Sequence, residues 1–326
     1  ATALLATVSG TIFIGFLDPI NWPKQIALLT IIPFIALAGY RAYKQSANVS
    51  SVNYQVRLLL LSIIFTITAM ILAKFFENLS WTRILWGLWG RNNGLLTITS
   101  LFIVALSFSL MNHARTFGSK FLHSLELASV IFCSYGLVQW LGSDPANWSQ
   151  SNQVFSFFGN TNFASAMFAL SASCFLLLLV FEKSNLVLRL IRLTFFGISM
   201  GLIVATKSIQ GLGAILIVGL LTLFIWLNIV GLVKKLIFLA CAGFLGIFVF
   251  LGTLGFGPLG NVIGQYTVQL RYQYWLTGIR IGETSPIWGV GVDSYGDHFR
   301  TYRSQALAER TSIDLVRLQV EVAATT

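Results

Sequence analysis

Acid is what this sequence has least of. It holds 11 Asp and Glu against 21 Lys and Arg, and charged residues of both signs make up only 10% of the chain. Ordinary soluble domains carry about 25% charged residues, whereas here 56% of residues are hydrophobic and the mean hydropathy is +0.79. A soluble globular fold is therefore excluded. Histidine and cysteine are also scarce, at three each. Cys133, Cys174 and Cys241 each sit inside an apolar run, so they read as buried small hydrophobes and build neither a disulfide framework nor a metal motif. No His-x-x-x-His pair and no dense carboxylate cluster occurs in the loops, so neither a metal nor any other cofactor is expected. The formal charge of +10 comes without a basic cluster or stacking platform, which argues against nucleic acid as a partner. The first apolar run leads to Asp18-Pro19 without a basic start or a small-residue cleavage site, so no cleavable signal is expected. Internal repeats of the kind that mark inverted-repeat transporters are not visible.

What is present is apolar length. Windows long enough to cross about 30 Å of hydrocarbon as helices fall at about 2–17, 25–40, 57–75, 93–111, 121–141, 162–181, 190–206, 210–230 and 236–256. Nothing resembles the short alternating segments of a β-barrel, and helices alone satisfy their own backbone in lipid. The expected fold is all-α: a transmembrane bundle of nine helices over residues 1–256, followed by an outward loop region over 257–326. The lipid bilayer is its first partner.

Loop charge orients this bundle. Arg41, Lys44 and Arg57 fall in the second loop, Arg115 and Lys120 in the fourth, Lys183, Arg189 and Arg192 in the sixth, and Lys234 and Lys235 in the eighth. The positive-inside rule makes these even loops cytoplasmic, with a cytoplasmic N-terminus, and turns the odd loops and everything after about 257 outward. All tryptophans except Trp226 then lie on the outer side. Glu126, the one acid within a span, lies near the inner interface within reach of Lys120 and reads as structural. Leu79 to Gly90 in the third loop reads as an amphipathic, tryptophan-rich helix lying in the outer interface.

The outward loops gather the chemistry. Arg91 follows that interfacial stretch, Asn160 and Asn162 open the sixth span, Lys207 and Gln210 sit in the short hairpin before the eighth, and Arg271 and Arg280 follow the last span. N-capping alone explains one of the two asparagines but not both. Arginine and amide with few acids suit an anionic ligand bearing polar groups, since the planar guanidinium meets phosphate oxygens with two charge-assisted bonds. A lipid-linked pyrophosphate sugar has that shape. The arginines would stabilise the departing pyrophosphate, and His298, with Asp293 and Asp297 as neighbours, is the candidate base for the acceptor hydroxyl.

In their order along residues 80 to 303, Trp89-Gly-Arg91-Asn-Asn-Gly94, Phe158-Gly-Asn160-Thr-Asn162-Phe-Ala164, Ser208-Ile-Gln-Gly211 and Arg271-x-x-x-Trp275 followed by Ser285-Pro286-Ile-x-Gly289-Val-Gly291-x-Asp293-x-Tyr295 resemble the bacterial O-antigen ligase and O-antigen polymerase family. The resemblance implies a metal-independent, inverting glycosyltransferase of GT-C-like membrane architecture. It would transfer glycan from an undecaprenyl-pyrophosphate-linked donor to a glycan, lipid or protein acceptor at the outer face of the bacterial inner membrane. Arg271 matches the family's arginine element and would hold the pyrophosphate. The family's later His followed by Asn, Ser or Gln is not matched, because His298 precedes Phe299. The last dozen residues contain no apolar span, which is expected of a truncated product that binds the donor without transferring it. The alternative reading from composition is a transporter or channel for an anionic solute, which would need polar residues along the full depth of the spans.

Overall fold

The computed structural model describes residues 8, 10–12, 18–45, 49–111, 117–146, 153–253, 266–286, 289–305 and 308, with no strand among them. Their helices are α1 (Asn21–Gln45), α2 (Val49–Glu77), α3 (Trp81–Trp86), α4 (Leu95–Met111), α5 (Phe117–Trp140), α6 (Thr161–Phe181), α7 (Leu186–Ala205), α8 (Ile209–Val230), α9 (Leu232–Thr253), α10 (Tyr266–Thr284) and α11 (Tyr295–Tyr302). A helix stands at eight of the nine apolar windows, and the window at 2–17 falls almost wholly outside the described residues.

Six stretches are long and apolar enough to cross a membrane: Asn21–Lys44, Val56–Glu77, Phe117–Trp140, Thr161–Phe181, Leu186–Ala205 and Ile209–Leu227. Large side chains on them, such as Phe34, Leu61, Phe163 and Leu193, stand exposed, an arrangement that lipid stabilises and water does not. The protein is an all-helical, multi-pass membrane protein.

The chain forms two compact units. The first comprises Ala1–Ile64, Trp89–Asn92 and Leu96–Lys235. Its centre is α6, which packs against α5, α7 and α8. Small residues make that possible: Ala164, Ser165, Ala169 and Ala172 are buried and let neighbouring backbones approach, while Phe168 and Phe175 fill the gaps. A side chain at Gly136 of α5 would strike the Phe168 ring, and one at Gly39 of α1 would strike the backbone and side chain of Ser107 on α4. Two buried hydroxyls are satisfied within their own helices, Ser173 donating to the Ala169 carbonyl at 2.7 Å and Ser199 to Phe195 at 2.7 Å, whereas the buried Ser129 hydroxyl has no partner among the described residues. Cys133 and Cys174 are buried and free, as expected, whereas Cys241, also free, is exposed.

Two sequence expectations change here. Glu126 pairs not with Lys120 but with Arg192, whose Nε and Nη2 donate to its two carboxylate oxygens at 2.6 and 3.1 Å. Arg192, assigned to the sixth loop, lies within α7 and is only 1% exposed. Its Nη2 also reaches Glu182 at 3.3 Å, and the His123 ring touches Glu126 at 3.2 Å and Glu182 at 3.4 Å. An arginine so buried needs its charge matched, which the bonds from Nε and Nη2 supply, while Nη1 has no hydrogen-bond partner among the described residues.

The second unit comprises Phe65–Leu88, Asn93–Leu95 and Leu236–Thr326. Within it α10 packs on α11, with Thr277 and Ile281 buried and Phe299 lying 5.4 Å from Tyr274 and 5.6 Å from Tyr295. The stretch after 257, expected as loop, thus carries two helices. Tyr266 to Thr284 contains no proline, and the helix stops where Ser285-Pro286 cannot continue it. The interfacial helix expected over Leu79 to Gly90 is shorter, spanning only Trp81–Trp86: Ser80 caps its start, and Gly87 ends it at a positive φ of 85°.

Candidate anion site

One end of the first unit is tied together by the opening turn of α1. Asp18 accepts from the Ile20 and Asn21 amides at 3.2 and 2.9 Å, which starts the helix after Pro19. The next residues reach outward. Asn21 donates to the Gly90 carbonyl at 2.7 Å and Trp22 lies 5.4 Å from Trp89. Lys24 donates to the Phe157 carbonyl at 2.6 Å and sits 5.0 Å over the Phe158 ring. Gln25 donates to the Thr97 hydroxyl at 2.9 Å, and Thr97 in turn donates to the Asn92 carbonyl at 2.7 Å.

The loop over 153–160 is anchored from the other side by Gln139. Its Oε1 accepts from the Phe155 and Ser156 amides at 3.1 and 2.6 Å, and its Nε2 donates to Asp144 at 2.8 Å. Tyr135 donates to the other oxygen of Asp144 at 3.0 Å. The loop then turns through Gly159 at φ 66°, where a side chain would also strike Ile20. Asn160 caps α6 through a bond from the Asn162 amide at 2.8 Å. Asn162 has a separate task, accepting from the Ser208 hydroxyl at 2.9 Å and so tying α6 to the α7–α8 hairpin. In that hairpin Lys207 takes a left-handed φ of 55°, and Gly211 lets α8 close onto Ser165. Both asparagines therefore have structural work, one more than capping supplied.

This set of bonds brings the segments bearing Arg91, Asn160, Asn162, Lys207 and Gln210 to one end of the first unit. Arg91, Lys207 and Gln210 are exposed there. Of the acids at that end, Asp18 accepts the helix-start amides through Oδ1 while its buried Oδ2 has no hydrogen-bond partner among the described residues, and Asp144 accepts from Tyr135 and Gln139. Lys24 and Gln139 were missed as parts of this end from the sequence. The signal for Lys24 was its place beside Asn21-Trp-Pro23 at the mouth of a span; Gln139 carried none, because its partners lie 16 and 17 residues away.

The remaining candidates belong to the second unit. Arg271 lies in α10, and its side chain falls outside the described residues; Arg280, on the same helix, is exposed. His298 lies on α11 with its ring 6.3 Å from that of Tyr302. The two acids offered as its neighbours are bound elsewhere. Arg83 holds Asp297 through Nη2 at 2.6 Å and the Asp293 carbonyl at 3.0 Å, while the Asp293 carboxylate accepts from the Leu88 amide at 3.0 Å. Gly289, Gly291 and Asp293 all have left-handed backbones, with φ of 67°, 93° and 58°, which is why this turn is glycine-rich. Burial, with Tyr274 adding to it, pushes the Tyr295 hydroxyl above the usual phenol range, so it stays protonated and donates to the Tyr274 carbonyl at 2.9 Å.

Among the described residues, no group of three or more His, Cys, Asp or Glu is placed to hold a metal ion. No protein-family model, curated protein or solved structure matches the chain.

Proposed function

We propose that this protein is a membrane glycosyltransferase of the O-antigen ligase and polymerase type, acting on an undecaprenyl-pyrophosphate-linked glycan. One observation carries the reading: Arg91, Asn160, Asn162, Lys207 and Gln210, drawn from three separate segments, belong to one hydrogen-bonded end of a membrane-embedded unit. A cation-and-amide surface at membrane depth matches a ligand whose diphosphate sits at the interface and whose tail lies in lipid. The amides suit sugar hydroxyls and the cations suit phosphate oxygens.

In this reading the chain has nine spans in a GT-C-like bundle, its even loops and N-terminus are cytoplasmic, and the end bearing Lys207 faces outward across a bacterial inner membrane. The acceptor hydroxyl attacks the anomeric carbon, the bond to the diphosphate oxygen breaks, and Arg91 and Lys207 stabilise the charge that develops on the leaving pyrophosphate. Arg271 and Arg280 enter as donor contacts, and His298 as proton acceptor, on sequence grounds.

The test is transfer in proteoliposomes, by a form of the protein that also carries the family's later His element, from a fluorescent undecaprenyl-pyrophosphate-linked oligosaccharide to a lipid or glycan acceptor. Glycan is expected to move to the acceptor, and Arg91→Ala with Lys207→Ala to slow it strongly. No transfer by that form, with flux of a small anion instead, would favour a transporter.

A further inference from the structure

Away from that end, the last turn of α6, the first turns of α7 and the last turn of α8 enclose a groove of about 520 Å³ in the first unit. This falls in the range of about 300–1,000 Å³ typical of small-molecule sites. Its floor is aliphatic, with Leu179, Leu186, Leu190 and Leu193, and its polar lining comes from Arg189 and Trp226. We propose that this groove binds an anionic phospholipid, one acyl chain lying on the leucines and the phosphate at Arg189. The inference is independent of the glycosyltransferase reading.

The groove lies where three candidate spans end, so its polar residues stand at headgroup depth. Arg189 is in the first turn of α7 and Trp226 is next to the last residue of the Ile209–Leu227 span. An amphipathic indole and a guanidinium are the side chains that favour that depth, while Leu190 and Leu193 continue along the helix toward the hydrocarbon. Both leucines and Trp226 are about half exposed, so a chain laid against them removes apolar surface from contact with mobile lipid.

Local charge decides which lipid. Arg192, one turn beyond Arg189, takes Glu126 and Glu182, and His123 touches the same two carboxylates. Those acids are thereby consumed, and among the described residues no acid pairs with Arg189, which is exposed. Lys183, in the connection between α6 and α7, is also exposed. A zwitterionic headgroup gains little from this excess of positive charge. An anionic one gains about fivefold in occupancy from Arg189, the cation that lines the groove.

The experiment is native mass spectrometry of the detergent-solubilised protein after incubation with equimolar phosphatidylglycerol and phosphatidylcholine. Wild type is expected to retain phosphatidylglycerol about fivefold over phosphatidylcholine. Arg189→Ala should bring the ratio close to one, Arg189→Lys should keep most of it, and Leu190→Trp, which fills the groove, should lower occupancy by both lipids. Equal occupancy in wild type, or an unchanged ratio in Arg189→Ala, would overturn the proposal.

Discussion

Arg192 of α7 and Glu126 of α5 form a two-pronged ion pair in which Nε meets Oε1 at 2.6 Å and Nη2 meets Oε2 at 3.1 Å. The two residues are 66 positions apart, and the guanidinium is almost wholly buried. Removing Glu126 leaves the buried guanidinium only the longer contact to Glu182 at 3.3 Å, so Glu126→Leu is expected to cost up to about 3–5 kcal/mol of stability. Replacing both, as Glu126→Leu with Arg192→Met, should recover most of that loss. Thermal unfolding of the purified protein reads both; a double variant no better than the single one would refute this view of the pair.

Gly211 is placed against Ser165, where a Cβ would meet both the hydroxyl and the backbone carbonyl. Gly211→Ala is therefore expected to destabilise by about 1–3 kcal/mol through overpacking. Gly213, on the same helix, has open space around it, and Gly213→Ala should be neutral or stabilising by up to about 1 kcal/mol. Melting temperatures of the two variants falling together would contradict the packing described for α6 and α8.

Arg83 does two jobs in the second unit, holding the Asp297 carboxylate and the Asp293 carbonyl. Asp297 is more than half exposed, so Asp297→Ala should cost under about 1 kcal/mol. Arg83→Ala also frees the carbonyl of a residue in a left-handed turn, and is expected to cost about 1–3 kcal/mol and to speed amide exchange from 289 to 298. Hydrogen exchange read by mass spectrometry distinguishes them, and equal effects would mean that the carbonyl bond is idle.

The long apolar helices were legible because each is a local pattern: about twenty apolar residues in a row can only be a span. What stitches them together was not. Lys24 finds Phe157 at a separation of 133 residues and Asn21 finds Gly90 at 69, and no local pattern encodes either bond. The acid at Glu126 stood out in its apolar run, but the partner chosen from the sequence was the nearby Lys120 rather than Arg192 across the helix pair. Among the site candidates, one of Asn160 and Asn162 was readable as a cap from its place before a span, but only the fold shows that it is Asn160. The bond from Ser208 to Asn162 needed the hairpin to fold back first. Tyr266 to Thr284 was misread as loop because membrane helices announce themselves by apolarity, and this one is rich in tyrosine, glutamine and arginine instead.

The central claim is that cations and amides at one end of the first unit grip a lipid-borne diphosphate. Its most direct measurement is the affinity of the purified protein for undecaprenyl pyrophosphate and for undecaprenol, in wild type and in Arg91→Ala with Lys207→Ala. Wild type is expected to bind the pyrophosphate about ten- to hundredfold more tightly than the alcohol, and the double variant to lose most of that difference. Equal affinity for the two lipids, or a preference untouched by removing both cations, would contradict it.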